Sequence, residues 1–90
     1  MANCFQLSVI TADGPLLQGS ASACRLPVEG GSVGVLAHHA PMLCALREGE
    51  ARFRMEDGTE KRLQLSGGIA DVRDNTVTVL AGHARLAETE

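Results

Sequence analysis

Ninety residues amount to one domain, because a chain of this size buries only about 60% of the surface its unfolded form exposes. With two Phe and neither Tyr nor Trp, the core must be aliphatic, and the aromatic platforms on which single-stranded nucleic acid stacks are missing. Eight basic residues stand among eleven acids for a formal net charge of −3; they form no basic run along the sequence, so neither a phosphate backbone nor an anionic membrane surface is an expected partner.

The chain reaches strand-like sequence by Phe5, which leaves no room for a signal peptide, and no apolar run approaches the roughly 18 residues of a membrane span. A soluble chain is expected, with membrane association only through a partner. Phe5, Leu7 and Val9 alternate with Gln6 and Ser8, and the segment from Thr11 to Pro15 supplies turn chemistry before Leu16 and Leu17. Residues 21–28 alternate again, with Cys24, Leu26 and Val28 in one phase. Pro27 cannot donate to a ladder, so that strand is expected at an edge or ending there.

Gly30 and Gly31 break the chain before the short apolar stretch Val33, Gly34, Val35, Leu36, whose glycine predicts a bulge or a close backbone approach. Pro41 forces Ala40 into an extended conformation. Residues 42–46 are apolar throughout, and between Pro41 and Gly49 there is space for a strand but not for an ordinary helix. A hairpin follows: Ala51, Phe53 and Met55 alternate with Arg52, Arg54 and Glu56, Asp57 and Gly58 turn, and Leu63 and Leu65 return. Gly67 and Gly68 bend the chain into residues 69–72, Asp74 and Asn75 turn it once more, and residues 77–81 give the last strand. Residues 85–90 are too few for an isolated helix and are expected to fray. Eight to ten short strands without a helix predict an all-β domain over residues 1–84, a sandwich or barrel.

Reaction chemistry is scarce. Cys4, Cys24 and Cys44 are an odd, widely spaced set and read as reduced thiols. His38 and His39 invite a metal reading with His83 or Cys44, but adjacent residues in an extended chain point to opposite faces. Ser66 lacks the glycine two places earlier that a nucleophile elbow requires, and no helix follows Gly34 to cradle a phosphate. Lys61, the only lysine, lies past the hairpin tip and does not fit a swinging-arm carrier. No enzyme, no cofactor and no metal are expected.

Three segments carry a family resemblance when taken in order. Gly31, Gly34, His39, Ala40 and Pro41 fit a Gly-x-x-Gly then His-Ala-Pro pattern, with Leu46 and Gly49 following; Leu65, Ser66, Gly67 and Gly68 come next; residues 77–81 read Val-Thr-Val-Leu-Ala. Over nearly the whole chain, from Phe5 to about Ala84, the sequence resembles the amino-terminal domain of the epsilon subunit of F-type ATP synthases. The resemblance implies a flattened β-sandwich at the foot of the central stalk, a non-catalytic rotor part that fixes the gamma subunit to the membrane ring of c subunits so that proton or sodium flow drives ATP synthesis. Its implied location is peripheral, on the cytoplasmic face of the bacterial inner membrane.

Carried over residue by residue, Gly31, Ser32, Val33 and Gly34 resemble the segment facing the c ring. Thr11, His39 and Ala40 resemble gamma-side positions, and Pro41, Gly58, Gly67 and Gly68 resemble structural turns. Ser32 stands where the family often has an acid, His38 where glycine or asparagine is common, and Ala37 where proline is frequent. Typical bacterial members continue into a carboxy-terminal helical hairpin that inhibits hydrolysis and in some binds ATP. The sequence stops before it, so a short form without that inhibition or an ATP site is expected.

Overall fold

A computed structural model describes residues 3–87, and every regular element among them is a strand. In chain order these are β1 Phe5–Thr11, β2 Gly14–Val28, β3 Gly31–Leu36, β4 Met42–Leu46, β5 Gly49–Met55, β6 Glu60–Leu65, β7 Gly68–Arg73, β8 Thr76–Ala81 and β9 Ala84–Leu86. Pairing runs β4-β7-β8-β1-β2-β5-β6-β9, with β3 also on β2. The all-β domain expected from alternation forms, as the sandwich that the resemblance implies.

What makes two layers from one hydrogen-bonded path is β2. Its first half pairs antiparallel with β1, from Thr11 opposite Gly14 to Phe5 opposite Ala21; its second half lies between β3 and β5. Two irregularities mark the strand. Val9 faces Leu17 and Ile10 faces Pro15, leaving Leu16 as an extra residue. A second shift falls between Ala21 and Ala23, where Ser22 Oγ donates to the Arg54 carbonyl at 3.4 Å. Bulges of this kind bend and twist a strand, and the second one lies where β2 passes from one layer to the other. Layer one is then β4, β7, β8, β1 and the start of β2; layer two is β3, the end of β2, β5, β6 and β9.

Alternation decides what lies between them. Phe5, Leu7, Val9, Val77, Val79, Ala70 and Val72 from layer one meet Leu26, Val35, Phe53, Leu63 and Leu65 from layer two in a single cluster. Both phenylalanines are fully enclosed, at 1% and 0% exposure. Each such aliphatic or aromatic side chain stabilises the fold by about 1.5–3 kcal/mol. Among the described residues no polar or charged side chain is buried, so the interior makes no demand for internal ion pairs.

Four local expectations are refined. Leu16 and Leu17 do not stand apart from residues 21–28, because β2 is one strand of 15 residues. Pro27 lies beyond Arg25, the last β2 residue paired with β5, and the strand ends one residue later. Gly34 makes no bulge: register with β2 is unbroken through Arg25, whose guanidinium packs against the open Cα. The tail does not begin at residue 85, since Arg85 and Leu86 pair with Gln64 and Leu63, and Ala87 donates its amide to the Arg62 carbonyl at 2.8 Å; the edge of β6 supplies the partners that an isolated segment lacks. Residues 88–90 lie outside the described residues.

Gly58 and Gly68 occupy their turns for different reasons. Both have positive φ, 91° and 144°, which costs other residues about 1–2 kcal/mol. At Gly58 an added Cβ meets open space, whereas at Gly68 it would overlap the Leu80 carbonyl oxygen. Gly68→Ala should therefore lose, beyond the backbone strain, roughly 1–3 kcal/mol of overpacking. Urea denaturation should give a clearly lower midpoint for Gly68→Ala than for Gly58→Ala; equal midpoints would contradict the crowding at β7.

Candidate functional site

The direction of the strands sorts the singled-out residues between two ends of the sandwich. At one end, the loop after β3 is pinned to the β7-β8 turn: the His38 amide donates to Asn75 Oδ1 at 2.7 Å, Asn75 Nδ2 donates to the Cys4 carbonyl at 2.9 Å, and the Gln6 amide donates to the Asn75 carbonyl at 3.1 Å. Asp74 and Asn75 both have φ near 55°, at 53° and 57°, and His38 has 64°, conformations that Asn, Asp and His tolerate better than most residues. His39 donates its amide to the Leu36 carbonyl at 3.2 Å and its Nδ1–H to the Ala40 carbonyl at 2.7 Å. Ala40 and Pro41 are exposed beside it, leading into β4.

Thr11 lies at the opposite end. Phe5 and Gln6 begin β1 next to Asn75 and Thr76, and Thr11 pairs with Ala81 five residues further on, about 17 Å along the strand. Its Oγ1 donates to the Gly14 carbonyl and accepts from the Asp13 amide, both at 3.1 Å, closing the β1-β2 turn. Gly31, Ser32, Val33 and Gly34 extend toward this same end, because Gly31 pairs with Val28 and the Arg47 amide ties the Pro27 carbonyl to the end of β4 at 3.0 Å. Gly31, Ser32 and Gly34 are exposed and Val33 is half-buried. The fold thus separates Thr11 from His39 and Ala40 and brings it to the end that holds Gly31.

Between the two ends, the outer face of layer one carries a feature that alternation alone did not single out. Ala45, Ile69, Leu80, Ile10 and Pro15 are successive cross-strand neighbours on β4, β7, β8, β1 and β2, forming one apolar row across five strands. Ile69 and Leu80 are each 47% exposed, and Leu43 beside the row is 74% exposed. The signal is present in the sequence as aliphatics in the wrong phase: Leu80 between Val79 and Ala81, Ile69 before Ala70, Ile10 after Val9. Exposed aliphatics that adjoin one another mark an interaction surface.

At the flank where edge strands β3 and β4 face each other, Val28, Val33, Met42 and Cys44 line a groove of about 430 Å³. Glu29 and Arg47 reach toward each other at its mouth, 4.0 Å apart and well exposed, a pair that contributes little. Ser66 accepts a hydrogen bond at Oγ from the His83 backbone amide and donates its own amide to the His83 carbonyl, both at 3.0 Å. It clasps two loops, the role that suits its place before Gly67 and Gly68. His38 and His83 sit at opposite ends, and among the described residues no three His, Cys, Asp or Glu side chains are grouped to hold a metal ion.

Burial pushes the Cys24 thiol up to about 12, with nearby Cys44 adding to the effect, and burial also raises Cys44. A thiol whose folded value lies above its unfolded one contributes stability in full below the ordinary 9.0, and loses that contribution as pH rises through 12. Two outcomes should follow. Folded protein at pH 8 should alkylate at Cys24 far more slowly than unfolded protein, and a stability decline above pH 9 should be smaller in Cys24→Ala. A separate substitution tests the loop anchor: Asn75→Gly keeps the backbone conformation but loses both side-chain bonds, so hydrogen exchange should accelerate at the His38 amide while β1 and β8 amides keep their protection.

With this geometry in hand, comparison with known proteins is informative. A profile of the family described as ATP synthase, Delta/Epsilon chain, beta-sandwich domain matches residues 4–87. The chain is 43% identical over 86 residues to the ATP synthase epsilon chain of Symbiobacterium thermophilum, covering 94% of this chain and 61% of that one. It is 36% identical over 89 residues to the ATP synthase epsilon chain of Thioalkalivibrio sulfidiphilus, covering 98% and 63%. It therefore spans about three fifths of the length of these relatives. Among solved structures, a chain of the Euglena gracilis mitochondrial ATP synthase (OSCP/F1/c-ring in rotational state 1) superposes with a TM-score of 0.87 at 27% identity, covering 93% of this chain and 54% of that one. A chain of the Tetrahymena thermophila mitochondrial ATP synthase central stalk and c ring gives 0.77 at 16% identity, over 89% and 64%, a likeness of fold.

Proposed function

Because the chain belongs to the ATP synthase delta/epsilon β-sandwich family, we propose that it is a non-catalytic central-stalk component that couples the gamma subunit to the c ring, so that proton or sodium flow drives ATP synthesis. In this reading it works as part of a membrane-associated complex, on the cytoplasmic face of the bacterial inner membrane, and touches the membrane only through the c ring. In this reading it needs no cofactor, and the ATP site that the resemblance places in the helical hairpin is not expected in these residues.

The observation that carries the reading is the apolar row from Ala45 to Pro15. Thr11 and His39 with Ala40, the gamma-side positions by resemblance, sit at opposite ends of the layer that bears it. They make sense as one interface when gamma lies across the face and reaches both ends. An apolar centre with a polar margin is the usual composition of a lasting protein interface, and Thr11, Ser8, Gln6 and Thr78 supply the margin. The segment of Gly31, Ser32, Val33 and Gly34 then projects from the Thr11 end toward the c ring's polar loops. Ser32 offers a hydroxyl rather than a charge there, so shape and hydrogen bonding would hold that contact more than ion pairing.

A folded bundle of hydrogen-bonded strands is suited to such work. Torque has to pass through the domain without distorting it, and two close-packed layers resist shear better than a single helix does.

Co-purification with gamma tests the proposal. Wild type should retain gamma, while Leu80→Asp or Ala40→Asp should weaken retention by at least about tenfold, the effect of roughly 1.4 kcal/mol, with strand content unchanged by circular dichroism. Val33→Asp should spare gamma binding and impair assembly with the c ring. Undiminished binding by Leu80→Asp and Ala40→Asp would remove the support for this interface.

A further inference from the structure

The outer face of layer two differs from that of layer one. Arginines scattered in the sequence are gathered here by strand register: Arg25 on β2 is opposite Arg52 on β5, which is opposite Arg62 on β6. In the neighbouring row Ala23 is opposite Arg54, and Arg54 is opposite Glu60. Like charges directly across a ladder destabilise it, so such a row needs an anion. Glu50 supplies one to part of it, accepting from Arg52 Nε at 3.0 Å and lying 3.7 Å from Arg62. Among the described residues, Arg25 bonds only the neutral Ser32 hydroxyl through its side chain, at 3.0 Å. Among the described residues Arg54 has no ion pair within 4.0 Å.

The face is also concave. Ala23, Arg25, Gly34, Leu36, Arg52 and Arg54 surround a depression of about 410 Å³, within the roughly 300–1,000 Å³ of small-ligand sites. Gly34 lacks the side chain that would otherwise rise into it, and Arg25 Nη2 lies 3.4 Å from where that side chain's Cβ would stand. Four arginines against Glu50 and Glu60 leave a local charge of about +2 on a chain whose total is −3. Guanidinium forks bind phosphoryl oxygens in pairs. The backbones of Arg25 and Arg52 lie one strand spacing apart, about 4.8 Å, with both side chains on the same face, so that two guanidinium groups can turn toward the two phosphoryl groups of one diphosphate.

We infer that this depression is a binding site for a compact phosphate anion carrying two or more phosphoryl groups. Gly34 belongs both to it and to the segment assigned above to the c ring, and Ser32 of that segment bonds Arg25, but the inference does not rest on that assignment, and the isolated chain suffices to test it. A ligand seated here would complete the charge balance of the row and stiffen β2, β3 and β5 against one another.

The experiment is an amide chemical-shift titration of the whole chain with inorganic pyrophosphate at about 0.15 M ionic strength, with orthophosphate and phosphatidylglycerol vesicles as parallel arms. Saturable shifts should centre on Arg25, Gly34, Arg52 and Arg54, with pyrophosphate binding more tightly than orthophosphate. Arg25→Gln and Arg54→Gln should each weaken binding by about tenfold or more. Arg25→Lys, which keeps the charge and loses the fork, should fall between, and Arg73→Gln, on β7 and paired with Asp71 at 3.2 Å, should match wild type. Shifts that do not saturate, wild-type affinity in both Arg25→Gln and Arg54→Gln, or a response to vesicles without one to pyrophosphate would overturn the inference.

Discussion

The structure depends on one strand serving two layers. β2 pairs with β1 along its first half and with β3 and β5 along its second, and the shift at Ala21 and Ala23 is where it changes sides. Because side chains in a strand alternate with a period of two, an extra residue at such a point also resets which side chains point inward. Ala21 and Cys24 are both buried although three residues apart, a spacing that regular alternation forbids. Without Ser22 as the extra residue, either Phe5 and its neighbours or Leu26 and Phe53 would lose the core.

That single fold of the path creates two outer faces with opposite chemistry. Layer one presents aliphatics in register and layer two presents arginines in register, both on a scaffold in which no polar side chain is buried among the described residues. Neither face follows from the demands of the core, which is complete without them. Exposed apolar area adds nothing to the stability of an isolated domain, and adjoining arginines subtract from it. Features that the fold itself does not need are where partners and ligands are to be sought. The loop after β3 fits the same picture, since the His38 amide is bonded to Asn75, which two further bonds tie to Cys4 and Gln6.

Much of this was legible in the residues. Alternation at Phe5, Leu7 and Val9, at Ala51, Phe53 and Met55, and at Leu63 and Leu65 identified core positions, and Pro41 with Gly49 correctly argued for a strand at residues 42–46. The extent of β2 was not legible, because the segment ending at Pro15 read locally as a turn while pairing with β1 carries the chain from Gly14 through Pro15 to Ala21. β9 was hidden for a related reason: three residues have no strand identity until the edge of β6 offers partners. The arginine row escaped notice because Arg25, Arg52 and Arg62 become neighbours only through two ladders. The apolar row left a fainter trace, as Ile10, Ile69 and Leu80 are each an aliphatic beside an inward-facing one. Asn75 looked like an ordinary turn residue, and nothing nearby in sequence pointed to His38 or Cys4 as its partners.

In the proposed role, one face of this sandwich and one end of it are covered by two different proteins of a rotary ATP synthase. Cysteine-directed cross-linking in an assembled enzyme tests it most directly, using Leu80→Cys at the middle of the apolar row and Ser32→Cys on β3, with Cys4, Cys24 and Cys44 replaced. The account predicts an adduct of the first with gamma and of the second with the c subunit. Adducts of neither, or modification of position 80 by a soluble thiol reagent equally fast in the assembly and in the free chain, would contradict it.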